Sequence, residues 1–245
     1  MKILLTNDDG IDAPGIRLLN EFARTIGEVT VSAPMTEQSA KSQSVCLRSS
    51  FPVEKTVGTD GTEYYAVGST PADCVRFGLT ALGKEFDLVL SGINRGFNLG
   101  NDVSYSGTCA AVFESSARGV PGIAFSSDPA GFPDLRTLCA VWEAVEEIRR
   151  ESGASFLNVN LPTAPHGIRV TRLGGGYYMD NIIPSEKGRF RADGSFIYQN
   201  RGDLSLDTDA VTAGFVSVTP LMNDRTDRQV FQLLKEKQMK YVISL

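Results

Sequence analysis

The sequence predicts an α/β protein, a doubly wound and mainly parallel sheet from which a β-hairpin projects. Three observations predict it. Short apolar runs alternate with segments of helical periodicity up to residue 160. The first three apolar runs end in turn chemistry, at Asp8-Asp9-Gly10, at Ala33-Pro34 and at Ser91-Gly92. Beyond residue 176 the alternation gives way to a polar and aromatic stretch with a short glycine-containing connection.

Taken in order, residues 3–6 read as a buried strand, and residues 16–26 as a helix with Ile16, Leu19, Phe22 and Ala23 at helical spacing. A second strand at 29–34 stops at Pro34. Thr70-Pro71 is a cap followed by a first-turn proline, so residues 72–82 read as a helix. Strands at 87–92, 122–126 and 156–160 are separated by an alanine-rich helix at 108–118 and an amphipathic one at 135–150. Residues 168–172 read as a further strand. The hairpin is expected to pair 189–191 with 195–198 across Ala192-Asp193-Gly194. A late strand at 215–219 and a helix at 228–237 follow, and the apolar tail 241–245 calls for a partner surface. One α/β domain is expected over 1–245, with its core at about 1–175 and 203–221, the hairpin excursion at about 177–202, and a C-terminal helix and arm at about 222–245.

Composition narrows the function. Of 245 residues 42% are hydrophobic and 22% charged, which is enough for a sizeable core. The net charge of −5 gives no broad nucleic-acid footprint. No run of apolar residues is long enough to cross a membrane. The four cysteines, Cys46, Cys74, Cys109 and Cys139, form no CxxC pair. A cytoplasmic protein with reduced thiols is expected. The single histidine, His166, lies in a turn-like Pro-His-Gly, so a His-rich metal site is excluded. There is no GxxxxGK[ST], no GxGxxG after the first strand and no GxSxG.

Four segments carry chemistry. Asp8 and Asp9 sit at the carboxyl end of the first strand, where open parallel sheets bind ligands. Two carboxylates this close raise each other's proton affinity, and a hard divalent cation such as Mg²⁺ or Mn²⁺ relieves that repulsion. The same residues also fit a solvated turn. Asn94, after the strand at 87–92, can supply an amide oxygen to the same crevice or simply bond its own backbone. Ser106-Gly107-Thr108 opens a helix, so it can hold a phosphate or act as a plain N-cap. The loop 35–44 follows another strand end and offers Ser39 for a metal and Lys41 for an anion, though spacing alone favours a polar loop without a role.

Together these residues resemble the SurE family. Asn7-Asp8-Asp9-Gly10 with Ala13-Pro14-Gly15-Ile16 is similar to its N-terminal signature. Ser91-Gly92-Ile93-Asn94, Asn98-Leu99-Gly100 and Tyr105-Ser106-Gly107-Thr108 resemble its second signature, and Thr70-Pro71-Ala72-Asp73-Cys74-Val75 a third. Segments at 169–174 and 214–221 extend the likeness over most of the chain. The resemblance implies a Rossmann-like core, an extended hairpin and a C-terminal arm used in oligomers, here a homodimer or homotetramer. It implies a metal-dependent phosphomonoesterase acting on nucleoside 5′-monophosphates and often 3′-monophosphates. One divalent ion per subunit, Mg²⁺ or Mn²⁺, falls on Asp8, Asp9, Ser39 and Asn94. The catalytic carboxylates are Asp8 and Asp9, and the phosphate side falls on Asn94, Asn98, Ser106, Gly107 and Thr108. The partners implied are nucleoside monophosphates, with no membrane and no stable nucleic-acid complex. One departure is visible: Met35-Thr36-Glu37-Gln38-Ser39-Ala40 keeps the serine but lacks the family's usual arginines and glycine. The competing readings are a nucleotide-binding module without turnover and a scaffold acting through its hairpin and arm.

Overall fold

The computed structural model describes residues 1–237, so the apolar tail at 241–245 lies outside the described residues. The chain runs β1 (Lys2–Thr6), α1 (Pro14–Ala23), β2 (Glu28–Pro34), β3 (Val53–Val57), β4 (Glu63–Val67), α2 (Pro71–Ala81) and β5 (Leu88–Arg95). A 3-10 turn at Gly100–Ser104 leads into α3 (Gly107–Ala117), β6 (Gly122–Ser127), α4 (Leu135–Ser152), β7 (Phe156–Leu161) and β8 (Ile168–Val170). Last come β9 (Tyr178–Pro184), β10 (Phe190–Phe196), α5 (Asp207–Thr212), β11 (Val216–Pro220) and α6 (Arg228–Lys237).

Among the described residues one sheet of nine strands has the order β3-β4-β2-β1-β5-β6-β7-β11-β8. All neighbours are parallel except β3 with β4 and β11 with β7. The apolar runs are buried on both faces, which is what a parallel sheet between two helix layers demands. On one face α1 and α4 cover Ile3, Leu5, Leu90 and Phe125, with Phe22 edge-on to Trp142 at 5.5 Å. On the other, α2 and α3 cover Leu4, Val89 and Ala124 with Val75, Ala111 and Val112. The chain steps outward from β1 to β2 and β4 on one side, and from β5 to β6 and β7 on the other. The sheet therefore has its switch point between β1 and β5, and a crevice at their carboxyl ends. No described helix is long and apolar enough to cross a membrane.

Helix ends follow local chemistry. The Thr70, Ser106 and Asp134 side chains accept from the backbone N–H three residues on, capping α2, α3 and α4. Gly153 closes α4 in the left-handed region at φ +65°.

The structure corrects several sequence expectations. β3 and β4 were not expected: Val53–Val57 is mostly exposed and carries charge, so its period is weak. The late strand β11 joins the main sheet antiparallel to β7 and parallel to β8. The short helix α5 lacks an apolar stripe and is held by its carboxylates. The hairpin exists, but its turn lies elsewhere. Ala192-Asp193-Gly194 falls inside β10, where Gly194 stands opposite Asp180 of β9. The reversal is at 185–189, with the Ser185 N–H donating to the Arg189 carbonyl at 2.9 Å. Gly194 serves packing rather than turning, because a Cβ there would collide with the Tyr178 hydroxyl group. The tyrosine ring lies over a strand position that has no side chain of its own.

Candidate active site

Asp8 leaves β1 at the switch point and is almost wholly buried. Its Oδ1 accepts the Thr108 hydroxyl at 2.5 Å. Gly107 allows this approach: a Cβ there would stand 2.7 Å from the Asp8 Cβ. The Asp8 carboxylate thus lies against the N-terminus of α3. Burial pushes its pKa up to about 6, against the Thr108 hydrogen bond that lowers it and the Asp9 charge that raises it further. Asp9 is also raised, first by burial; a backbone hydrogen bond from Arg95 opposes this and the Glu37 charge adds to it. The Arg95 charge lowers Asp9 in part, yet both carboxyls stay raised, and such a pair favours a further cation beside it.

A pocket of about 910 Å³ opens over the pair and brings together Asp8, Asp9, Ser39, Asn94, Asn98 and Ser106. Asn94 donates its amide N–H to the Gly96 carbonyl at 2.8 Å, which leaves its Oδ1 available to a ligand. Asn98 gives its Nδ2 to the Ser126 hydroxyl at 2.7 Å, while its own N–H and carbonyl are held by Asn160 and Asn158. Three buried asparagines thus fix the loop after β5. Ser106 caps α3 through its Oγ and still faces the pocket. Thr108 is buried beneath the pocket, so its hydroxyl serves Asp8 rather than a ligand. Ser39 Oγ donates to Glu37 at 2.6 Å. Lys41, a possible anion contact in the sequence, is exposed and does not line the pocket.

The loop 35–44 is docked rather than free. The Gln38 N–H donates to the Asp8 carbonyl at 2.7 Å, and the Ser42 N–H and hydroxyl bond Tyr105 and Ser104. Ala40 and Ser42 take left-handed backbone at φ +57° and +51°, where glycine is the easier residue. Buried Asp73 holds the far end of this segment, accepting from the Cys46 N–H at 2.7 Å, Ser69 at 2.6 Å and Arg76 at 2.9 Å. The motif residue Asp73 therefore positions a loop and does not enter the pocket.

Several lining residues were not anticipated: Glu37, Arg95, Asp102, Tyr177, Tyr178 and Asp180. Arg95 directly follows Asn94, so adjacency was the available signal. The others come from segments without apolar period.

The residues present suit a hard cation. Among the described residues no cluster of three or more His, Cys, Asp and Glu side chains fit to hold a metal is found. A cation here would be held by two carboxylates completed by neutral oxygens. Asp8, Asp9, Ser39 and Asn94 offer such an all-oxygen set in one pocket. Five carboxylates, from Asp8, Asp9, Glu37, Asp102 and Asp180, line the pocket against one described cation, Arg95. An anionic ligand entering it needs added positive charge.

Fold and site define the class: a doubly wound α/β protein with an aspartate pair at its switch point, Asp8 buried and Asp9 half-buried. The family model for Survival protein SurE matches residues 3–180. A 5′-nucleotidase SurE of Thermosipho melanesiensis is 39% identical over 249 residues, which is 97% of each chain. A 5′/3′-nucleotidase SurE of Salmonella paratyphi A is 40% identical over 96% of each chain. The crystal structure of the SurE protein from Aquifex aeolicus superposes with a TM-score of 0.80 at 33% identity, covering 97% of this chain and all of that one. The chain belongs to the SurE family.

Proposed function

We propose that the protein is a metal-dependent phosphomonoesterase that hydrolyses nucleoside 5′-monophosphates, and 3′-monophosphates as well, to nucleoside and phosphate. The observation that carries this reading is Asp8, buried against the N-terminus of α3 with half-buried Asp9 beside it, in a pocket lined by three further carboxylates and one described cation, Arg95. Asp8, Asp9, Ser39 and Asn94 would hold a divalent ion, Mg²⁺ or Mn²⁺, which would supply the positive charge that offsets the carboxylates and would polarise the phosphoryl group. Asn98, Ser106 and the backbone N–H groups around Gly107 orient the phosphate oxygens, helped by the helix dipole. A carboxylate of the pair takes the proton of the attacking water while the ester P–O bond breaks, and that proton passes to the departing nucleoside oxygen, which leaves as a hydroxyl. Thr108 keeps Asp8 in place for this.

The nucleotidase relatives support the substrate class, and the all-oxygen donor set supports the metal. Exposed apolar side chains on the hairpin and α6 support a homodimer or homotetramer. Four free cysteines fit a cytoplasmic setting.

Phosphate release from a panel of nucleoside monophosphates, with Mg²⁺ or Mn²⁺ and with chelator, tests the reading. Release should require metal and fall at least ~1,000-fold in Asp8→Asn, a loss of the size seen when a reacting group is removed. Near wild-type turnover in Asp8→Asn would overturn the site. Stabilisation of the folded protein by nucleotides without turnover would favour a binding module, the reading that the altered 35–40 loop favours.

A further inference from the structure

The pocket of about 910 Å³ is longer than its phosphate end requires. One end is polar and lies between β1, β5 and α3. The other end is made by the base of the hairpin and is aromatic: Tyr177, Tyr178, Phe196 and Ile197 line it. Phe196 lies 5.4 Å from Tyr177 and 5.6 Å from Tyr178, edge to face. Tyr178 and Phe196 are directly paired across the two strands, so they share one face of the hairpin. Both rings remain open, Phe196 at 68% and Tyr178 at 45% exposure. Large aromatic faces left open inside a pocket mark a place where a flat apolar group is received.

This end is held at a set distance from the phosphate end. Asp102, on the 3-10 turn, lines the pocket together with Tyr178. The Asn101 N–H donates to the Gly175 carbonyl at 2.8 Å, and the Ile197 N–H to the Tyr177 carbonyl at 3.0 Å. Asp207 accepts from the Gly100 N–H at 2.9 Å and from the Gly174 N–H at 2.7 Å. The 3-10 turn that borders the phosphate end thus also carries the root of the hairpin.

We propose that the hairpin end of the pocket is a nucleobase subsite, in which Tyr178 and Phe196 stack on the base and so favour nucleotides over alkyl phosphomonoesters. The inference rests on the phosphatase reading above and deepens it. Every base presents a π-face, so recognition by stacking accepts different bases while rejecting substrates without a ring. The glycine at position 194 belongs to the subsite, because it lets the Tyr178 ring lie flat along β10.

The test compares wild type with Phe196→Ala and Tyr178→Ala on AMP and on glycerol 2-phosphate. The ratio of kcat/KM for AMP to that for glycerol 2-phosphate should fall at least tenfold in both variants, carried mainly by KM for AMP. Phe196→Trp should restore it. A second arm needs no turnover: adenosine alone should raise the melting temperature of wild type and not of Phe196→Ala. An unchanged ratio, or an equal loss on both substrates, would overturn the subsite, as would the absence of any adenosine effect on wild type. If wild type released phosphate from neither ester, the phosphatase reading would fall, and the adenosine arm would still decide the subsite.

Discussion

At the scale of single residues the site turns on a contact between Asp8 and Thr108, one hundred positions apart. Asp8 is buried and its pKa is raised to about 6 because burial outweighs the hydrogen bond. Removing the hydroxyl leaves a buried carboxylate without its side-chain donor, a loss of about 1.5–3 kcal/mol for a bond to a charged group. Thr108→Val keeps the shape of the side chain, so the fold should survive while kcat/KM for a nucleoside monophosphate falls about 10–100-fold. Thr108→Ser should recover most of that loss. Steady-state kinetics of the two variants decide it; equal activity in Thr108→Val would make the hydroxyl a packing group only. Asp8 and Asp9 were legible in the sequence because they are adjacent and follow an apolar run. The role of Thr108 was not, since nothing local says that its hydroxyl faces inward to Asp8 instead of outward to a ligand. Asp207 was hidden for the same reason: its partners Gly100 and Gly174 are distant in sequence.

At the scale of elements, the buried parallel strands were readable because both of their faces are apolar. Edge elements were not. In β10 the triplet Ala192-Asp193-Gly194 has turn composition, yet tertiary pairing with β9 overrides it. At the β3 edge of the main sheet, β3 and β4 owe part of their pairing to charge. Glu63 on β4 meets Lys55 on β3 and Lys84 beyond α2. Hydrogen bonds from Lys55 first, then Lys84, hold the Glu63 carboxyl down at about 2. A folded-state pKa below the ordinary 4.5 means that this contribution is fully present above pH 4.5 and is lost as pH falls through about 2. The cluster is open to solvent, so the gain is the small one of an exposed pair, and salt reduces it. Chemical denaturation of wild type and Glu63→Gln should therefore differ most near neutral pH, and the gap should close below about pH 4.5. A gap that widened on acidification would show that the lysines stabilise the edge through some other partner.

At the scale of the whole molecule, the hairpin poses the question of what covers it. The register places Phe190 opposite Pro184, Ala192 opposite Ile182, and Phe196 opposite Tyr178. Since side chains alternate along a strand, all of these lie on one face, an apolar stripe from the pocket to the hairpin tip except where Asp180 stands opposite Gly194. The inner end of that stripe borders the pocket. At the outer end Ile182 is 68% and Phe190 66% exposed. A two-stranded ribbon is marginal in water without a surface to pack on. Helix α6 adds Phe231 and Leu234, each about half exposed. Two exposed apolar faces on one chain are what a closed symmetric assembly buries, and a second copy of this chain is the partner always present at equal concentration. Wild type should therefore sediment as a dimer or tetramer of its 26.5 kDa chain. The double variant Ile182→Asp, Phe190→Asp places two charges in the stripe without touching the aspartate pair, and it should sediment as a smaller species. A wild type that sediments as a monomer at micromolar concentration would leave the stripe without a second copy to cover it. An unchanged assembly in the double variant would instead place the contact on α6. Either result would separate the two ends of the hairpin, one turned to the pocket and the other to the surface.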